Sequence, residues 1–284
     1  MTRLNSVATA IAVAALLASS FVSADHHGGA HASSITKIDS NEFGIDSKEI
    51  ADINAQMQAA VDGGFIAGNI LLVGNSEGVG VLETAGTQGP GQSTPMDEQT
   101  FFRIYSMTKP IVSVATMTLV EDGLLAISDP VSKYIPEFAN MTVINEETGA
   151  ITPAANEMTV QDLLTHESGL IYGIFDPESE LGKMYFQAGS LRADITALTL
   201  AQNLAALPLR FEPGTKWNYS RSTDVLGAVI EVAAGKPLDA LLNERIFAPL
   251  GMDETTFFVD VSKAARIAHP IHGEMADPTV VTPM

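Results

Sequence analysis

A helix with a polar first turn is encoded by Phe101-Phe102-Arg103-Ile104-Tyr105-Ser106-Met107-Thr108-Lys109-Pro110 and the apolar run 111–125 that follows it. A proline is tolerated only in the first turn of a helix, so Pro110 places the helix start at or just before Ser106. Asp122-Gly123 is a typical helix end. Apolar residues on every side of the cylinder predict a helix that is buried all round, and they are Ile111, Val112, Val114, Ala115, Met117, Leu119 and Val120.

Ser106 and Lys109 form a candidate nucleophile and base. Residues three apart lie on the same face of a helix, so the Ser106 hydroxyl and the Lys109 amine can meet. A serine needs a neighbouring base, and burial or the positive end of a helix dipole lowers a lysine pKa enough to provide a neutral amine. By spacing alone Ser-x-x-Lys is a weak motif, and most such pairs are solvated surface. The apolar helix behind Lys109 favours the catalytic interpretation.

A second serine lies in the pattern Gly74-Asn75-Ser76-Glu77-Gly78, which matches the nucleophile elbow of α/β-hydrolases. A true elbow joins a strand to a helix. Here the flanking segments 65–73 and 79–85 both have strand character, which predicts a hairpin with Ser76 in its turn. The elbow remains an alternative that predicts loss of turnover in Ser76→Ala.

Composition excludes several classes of function. The 284 residues carry a formal net charge of -19, and the acidic residues are spread along the chain, which argues against a nucleic-acid partner. The chain has no cysteine, so thiol nucleophiles, thiolate metal sites and disulfides are excluded. His26, His27 and His31 could hold a metal, but the Gly and Ser residues around them favour a flexible segment. No cofactor is implied.

The N-terminus predicts export. Residues 1–24 have the form of a secretory signal peptide, with Arg3 before a short apolar run and Val22-Ser23-Ala24 as a cleavage site. The apolar run is too short to span a membrane. We expect a flexible leader at 25–44, a single domain at 45–284, and a periplasmic or secreted location.

Further helices are expected at 47–61, capped by Ser47, and at 131–135, 191–206 and 225–233, whereas 139–156 is expected to be irregular. Thr159 and Asp162 form a capping-box start to a helix that ends near Gly169. His166 lies at that helix end. It could act as a general base, but a histidine bonded to backbone groups is the favoured interpretation.

Several motifs together resemble the β-lactamase-related serine hydrolases, which include class C β-lactamases, D-Ala-D-Ala carboxypeptidases and family VIII carboxylesterases. The motifs are Tyr105-Ser106-Met107-Thr108-Lys109-Pro110, Leu163-Leu164-Thr165-His166-Glu167-Ser168-Gly169-Leu170, Phe211-Glu212-Pro213-Gly214 with Tyr219-Ser220, and Pro249-Leu250-Gly251-Met252. They cover residues 45 to about 270 in order. Tyr105, Trp217-Asn218-Tyr219-Ser220 and Asp224-Val225-Leu226-Gly227 are most similar to the esterase branch.

The resemblance implies an α/β (α+β) fold in which helices cover an antiparallel sheet and a mostly helical region is inserted, with the active site between the two. It also implies an acyl-enzyme on Ser106, with Lys109 as general base and Tyr219 as proton relay. The substrate would be a small-molecule ester or a β-lactam-like amide. A lactamase or carboxypeptidase activity and a non-catalytic penicillin-binding-like module remain alternatives, and Tyr219 could instead fill the core beside Trp217.

Two departures from the family pattern qualify this expectation. Arg221 occupies a position where lactamases and carboxypeptidases of the group commonly have asparagine, which argues against a lactamase-type pocket. Relatives of this type continue into further strands that carry a third motif, and the chain is expected to be a fragment that lacks them. Ile271-His272-Gly273 resembles that motif, but it follows Tyr219 too closely and is treated as coincidence. The oligomeric state is left open.

Overall fold

The computed structural model describes residues 36–189 and 195–270. The α-helices are α1 (Ser47–Asp62), α2 (Thr108–Glu121), α3 (Val160–Thr165), α4 (Glu180–Gln187), α5 (Ala197–Ala205), α6 (Ser222–Ala234) and α7 (Leu238–Leu242). The strands are β1 (Gly68–Gly74), β2 (Val79–Gly86), β3 (Thr142–Ile144) and β4 (Ile151–Pro153). Short 3-10 helices cover Ser40–Phe43, Tyr105–Met107, Val131–Lys133, Pro136–Asn140 and Val261–Arg266, and a π-helix covers Asn243–Phe247.

An antiparallel hairpin and one helix form the N-terminal layer. β1 pairs with β2 over 68–86, and α1 packs against β2. The predicted hairpin is therefore confirmed, with Ser76 in the turn between its strands. The N-cap of α1 is Asp46 rather than Ser47, because the Asp46 carboxylate accepts the N–H of Lys48 and Glu49 in a capping box.

The sequence analysis expected a flexible leader up to residue 44, but the structure shows an attached segment at 36–44. Residues 36–44 are held against the hairpin by backbone hydrogen bonds, Ile38 N–H to the Val79 carbonyl at 3.1 Å and Val79 N–H to the Thr36 carbonyl at 2.8 Å. The Phe43 ring also lies where a side chain at Gly80 would be. The hydrogen bonds attach the segment to the hairpin. The Phe43 ring can pack there because Gly80 has no side chain. The predicted signal peptide lies outside the described residues.

The helical core is organised around α6, which packs against α2, α3, α5 and α7. Its residues 225–230 are all buried, as a helix at the centre of a core requires. The stop at Gly235 is confirmed, since this glycine has φ +61° in the left-handed region that ends a helix. α2 lies beside α6 with Val112, Ala115, Thr116 and Leu119 buried.

The prediction that α2 is buried on all sides is wrong. Val114 is 53% exposed and Met117 is 43% exposed in the described structure. Apolar periodicity reports which side chains could be buried, but the neighbouring helices decide which of them are covered. In the described structure α6, α7 and the π-helix contact α2 and leave this side open to solvent.

Two other expectations need correction. The region 139–156 is not irregular throughout, because β3 and β4 form a second antiparallel hairpin and Leu209 N–H donates to the Thr142 carbonyl beside it. The helix expected at 191–206 begins only at Ala197, where Thr196 caps it, and 190–194 lie outside the described residues. α4 was not predicted. Its three apolar positions, Leu181, Gly182 and Tyr185, form too short a pattern to identify a helix.

The described C-terminal part folds back onto the N-terminal layer. Arg266 binds Glu254, donates to the Gln99 carbonyl at 2.7 Å and lies over the Phe101 ring at 4.1 Å. A backbone bridge joins Phe101 to Ile267. The α/β (α+β) class is confirmed. In the ranges 36–189 and 195–270, no helix has the length and apolarity that crossing a membrane requires.

Candidate active site

The three residues that the sequence identified are in contact. The Tyr219 hydroxyl donates to Ser106 Oγ at 2.7 Å, and Lys109 Nζ lies 3.4 Å from the same oxygen. Lys109 Nζ also lies 4.7 Å from the centre of the Tyr219 ring. A nucleophile, a phenol and an ammonium group therefore converge on one point, although 113 residues separate Ser106 from Tyr219 along the chain.

Ser106 is presented by a strained turn. Tyr105 has φ +41°, a left-handed conformation that is uncommon for a residue with a side chain. The chain then forms a 3-10 turn over Tyr105–Met107 and continues into α2. The Ser106 hydroxyl is exposed at the helix start, and Lys109 follows one turn later on the same side.

Tyr219 is held by hydrogen bonds between its own segment and the loop that follows α3. Asn218 donates its backbone N–H to the His166 carbonyl at 2.8 Å and its side-chain amide to the Leu170 carbonyl at 3.0 Å. Ser220 N–H donates to His166 Nδ1 at 3.3 Å. His166 is therefore bonded to the backbone, as expected, and has φ +59° as the C-cap of α3.

Three buried serines join the same two segments. Ser222 Oγ lies 2.7 Å from both Ser168 Oγ and Ser220 Oγ, and all three side chains are inaccessible to solvent. Leu170 N–H donates to Ser168 Oγ at 3.2 Å. Buried hydroxyl groups need partners, so this serine chain fixes the segment that carries Tyr219 relative to residues 168–172.

The charges in the site differ from the sequence-based expectation. Burial lowers the pKa of Lys109, but hydrogen bonds to Tyr172 and Tyr219 raise it by more, so the net direction is upward. For Tyr219, burial raises the pKa, but the contacts with Lys109 and Ser106 outweigh it and the net direction is downward. The direction of this pKa change does not favour the neutral Lys109 that burial alone would give. The phenols around the amine favour the ammonium form, and the ammonium in turn favours the Tyr219 phenolate.

Sequence reasoning missed Tyr172. Its hydroxyl accepts a hydrogen bond from Lys109 Nζ at 3.0 Å, and its ring centre lies 5.5 Å from that of Tyr219. The Arg221 guanidinium stacks on the Tyr172 ring, with its carbon 4.7 Å from the ring centre. Arg221 Nη1 also donates to Asp224 Oδ1 at 3.2 Å. The position of Tyr172 two residues after Leu170 was the available signal, but a lone tyrosine in a loop is not diagnostic.

A cavity of about 720 Å³ opens beside Ser106. It is large enough for a drug-sized molecule. Its walls are mainly apolar and aromatic, and they include Val112, Ile174, Phe175, Leu200, Phe257 and Phe258. Trp217 does not pack in the core beside Tyr219, because its side chain is 67% exposed.

The alternative nucleophile Ser76 is not supported. Ser76 lies between two antiparallel strands instead of before a helix, so the nucleophile-elbow geometry is absent there. Across the residues that the structure describes, no group of His, Asp and Glu side chains has the arrangement of a metal site. His26, His27, His31 and Ile271-His272-Gly273 lie outside the described residues.

The chain is similar to curated proteins that include two esterases. Esterase EstB of Burkholderia gladioli is 33% identical over 246 residues, covering 85% of this chain and 59% of the relative. Lovastatin esterase of Penicillium rubens is 31% identical over 213 residues, covering 72% of this chain and 52% of the relative. The chain thus spans little more than half the length of these curated relatives.

Solved structures show the same fold. The chain matches EstCE1, a hydrolase with promiscuous acyltransferase activity, with a TM-score of 0.65 and 29% identity over 78% of this chain and 60% of the other. A beta-lactamase/D-alanine carboxypeptidase from Yersinia pestis matches with a TM-score of 0.59 and 26% identity over 81% of this chain and 62% of the other. The fold is therefore the β-lactamase/transpeptidase-like fold expected from the motifs. The Beta-lactamase family model matches residues 53–284, and the chain belongs to the beta-lactamase family.

Proposed function

We propose that this chain carries the catalytic site of a serine hydrolase that cleaves carboxylic esters through an acyl-enzyme on Ser106. The observation that carries the proposal is the 2.7 Å contact between the Tyr219 hydroxyl and Ser106 Oγ, with the Lys109 ammonium beside both groups. A serine hydroxyl becomes a nucleophile when an adjacent base accepts its proton. Tyr219 is closer to Ser106 than Lys109 is, and its pKa is lowered.

We assign the base role to Tyr219 as phenolate and the supporting role to Lys109. The phenolate accepts the proton of Ser106 Oγ while that oxygen attacks the ester carbonyl carbon. The Ser106 backbone N–H is one donor to the oxyanion that forms. When the carbon–oxygen bond to the leaving group breaks, Tyr219 returns the proton to the departing alkoxide. The same phenolate then accepts a proton from water, whose oxygen attacks the acyl carbon. The acid is released when the bond to Ser106 Oγ breaks, and Tyr219 gives that proton to Ser106 Oγ, which restores the hydroxyl and the phenolate.

Lys109 keeps the phenolate available throughout this cycle. Its ammonium lies 4.7 Å from the Tyr219 ring centre and donates to Tyr172 at 3.0 Å. Replacing the lysine should raise the pKa of Tyr219 and reduce the phenolate fraction at neutral pH. These distances and charges support the exchange of roles between Lys109 and Tyr219 relative to the sequence-based hypothesis.

An ester substrate is favoured over a lactam or a peptide by two observations. The relatives named above as esterases share about a third of their aligned residues with this chain. Arg221, paired with Asp224 and stacked on Tyr172, fills the position where asparagine is typical of the lactamase branch. Amide hydrolysis remains the competing activity, and parallel assays with an aryl ester and a chromogenic cephalosporin distinguish the two.

The direct test is covalent labelling with a serine-reactive phosphonate, located by peptide mapping. We expect one adduct on Ser106, loss of labelling in Ser106→Ala, and a decrease of about 100-fold or more in Tyr219→Phe. Tyr134→Phe is the matched control for tyrosine replacement away from the site and should label normally. An adduct on Ser76, or a folded chain that takes no label, would overturn the proposal.

The pH dependence of labelling tests the base assignment. A phenolate base predicts a rate that rises with pH and levels off below the usual tyrosine pKa of ~10. Lys109→Met should move that midpoint upward, because the cation that favours the phenolate is gone. If Lys109 were instead the neutral base, Lys109→Met would abolish the pH-dependent phase entirely, and Tyr219→Phe would retain it.

We further propose that the chain is exported after cleavage behind Ala24. The support is the pattern of residues 1–24, a charged start, a short apolar run and small residues at the cleavage site. N-terminal sequencing of the protein from the extracytoplasmic fraction should begin at Asp25. A full-length chain that is found only in the cytoplasm would refute it.

A further inference from the structure

One side of α6 forms part of the wall of the cavity beside Ser106. Asp224, Gly227 and Glu231 all line this cavity. They are three and four residues apart, the spacing that places side chains on one face of a helix. The helix therefore lies along the cavity, and we call its face from Asp224 to Glu231 the floor of the cavity.

The catalytic end of this floor is at Asp224. The Asp224 carboxylate binds Arg221, the Arg221 guanidinium stacks on the Tyr172 ring, and the Tyr172 hydroxyl binds Lys109. Glu231 lies seven residues further along α6. At ~1.5 Å of rise per residue, the floor from Asp224 to Glu231 is about 10 Å long.

Gly227 lies at the middle of the floor, where Leu238 packs close to the helix. A Cβ atom at this position would lie 3.1 Å from Leu238 Cδ2, and Leu238 also lines the cavity. A branched side chain at 227 would therefore displace Leu238 and occupy space above the helix. The walls here are apolar and include Val112 and Leu200, so the space suits a hydrocarbon chain.

Glu231 adds a carboxylate to the cavity lining, seven residues along α6 from Asp224. Its Oε1 accepts the backbone N–H of Leu238 at 2.7 Å, and its carboxylate is half-buried beside Asp239. An apolar chain that extended past Gly227 to this point would have to remove water from a carboxylate and give it no hydrogen bond in return. Such a contact is costly.

From these features we propose that Gly227 and Glu231 are specificity-determining residues that select esters with one apolar, medium-length arm. The inference rests on the proposed esterase function. With ~1.5 Å carbon–carbon bonds that each advance a zigzag chain by ~1.25 Å, the 10 Å floor holds about eight carbons. Longer chains meet Glu231.

The test is a chain-length series of p-nitrophenyl esters with acyl groups of two to twelve carbons, with a parallel series of alkyl acetates for the alcohol side. For the wild-type chain we expect kcat/KM to rise to about eight carbons in one of the two series and to fall beyond. Gly227→Val should lower kcat/KM for the eight-carbon substrate by about 10-fold or more, the range typical of a changed hydrophobic pocket, and should lower the two-carbon value less.

Glu231→Gln should have the opposite effect and raise kcat/KM for the longer chains. Glutamine keeps the size of the side chain and its carbonyl can accept the Leu238 N–H, but it has no charge. We expect kcat/KM for the twelve-carbon substrate to rise severalfold relative to that for eight carbons. Val232→Ala, one residue away on the exposed side of α6, is the matched control and should leave the length profile unchanged.

A double variant tests whether the valine acts through its contact with Leu238. Gly227→Val combined with Leu238→Ala removes the clashing side chain and should restore the eight-carbon activity. The inference is overturned if Gly227→Val lowers all chain lengths equally, if the double variant does not recover, or if neither series depends on length. It is separable from the esterase proposal, which fails only if the two-carbon substrates are not hydrolysed and Ser106 takes no label.

Discussion

Replacing Ser222 by alanine should destabilise the fold because this serine is the centre of the buried serine chain. Its Oγ lies 2.7 Å from Ser168 Oγ and 2.7 Å from Ser220 Oγ, and none of the three side chains is accessible to solvent. The substitution removes two side-chain hydrogen bonds. Ser168 and Ser220 keep the backbone N–H groups that they accept, but each loses a hydroxyl partner.

The magnitude follows from this count. Each neutral hydrogen bond contributes about 1 kcal/mol net, and a buried group left without a partner costs about 1–3 kcal/mol. Alanine regains about 0.5 kcal/mol of helix propensity at the start of α6. The free energy of unfolding should therefore fall by about 2 kcal/mol, which moves a urea midpoint by ~0.7 M if the m-value is about 3 kcal/mol/M.

The assay is urea unfolding followed by circular dichroism, with phosphonate labelling of Ser106 measured on the same samples. Ser76→Ala is the control, since Ser76 is exposed in the hairpin turn and its replacement should change stability by less than about 0.5 kcal/mol. Labelling should slow in Ser222→Ala because the segment holding Tyr219 is less well fixed. A Ser222→Ala variant as stable as Ser76→Ala would refute the structural role of the serine chain.

Three further predictions concern the fold. Hydrogen bonds from Lys133, a tyrosine hydroxyl and a backbone N–H lower the pKa of Asp129 to about 2. The stability that this carboxylate contributes is therefore complete above its unfolded pKa of ~3.9 and is lost as pH falls towards 2, so Asp129→Asn should cost about 1–2 kcal/mol in urea melts at pH 7 and less at pH 3. Gly169 has φ +81° and an added Cβ would lie 2.4 Å from a backbone carbonyl oxygen, so Gly169→Ala should cost about 3 kcal/mol or more in thermal melts. The control Gly149→Ala, at φ +72° with open space around it, should cost only about 1 kcal/mol. Thr159→Ala removes the N-cap of α3 and should cost about 1 kcal/mol in urea melts, whereas Thr159→Ser should retain most of the stability.

Local patterns were sufficient wherever the deciding forces act between neighbours in sequence. The capping box of Thr159 and Asp162, the stop at Gly235 and the hairpin around Ser76 were all confirmed, because caps, left-handed glycines and tight turns are local. The same reasoning put Ser106 and Lys109 at the start of one helix. The second hairpin was missed because β3 and β4 are only three residues long and do not show a period.

Burial and charge were harder to infer. The exposed side of α2 carries Val114 and Met117, whose apolar character alone predicts burial. The pKa of Lys109 was expected to fall because of burial or the helix dipole, whereas hydrogen bonds to two phenols that come from distant segments raise it. Tyr172 could not be placed in the site by any pattern, since its contact with Lys109 spans 63 residues of sequence.

The spacing of Ser106 and Lys109 follows from local helix geometry and could be inferred from the sequence alone. The class of fold, the family and Tyr219 were inferred from the resemblance of several motifs to the β-lactamase-related serine hydrolases. Only the tertiary structure brought Tyr172 and Arg221 to the site, placed two phenols around Lys109, and formed the cavity beside Ser106. The physical reason is that proton affinity and cavity shape depend on groups brought together from different segments. Packing of α6 against α2 and the serine chain between two loops set those distances.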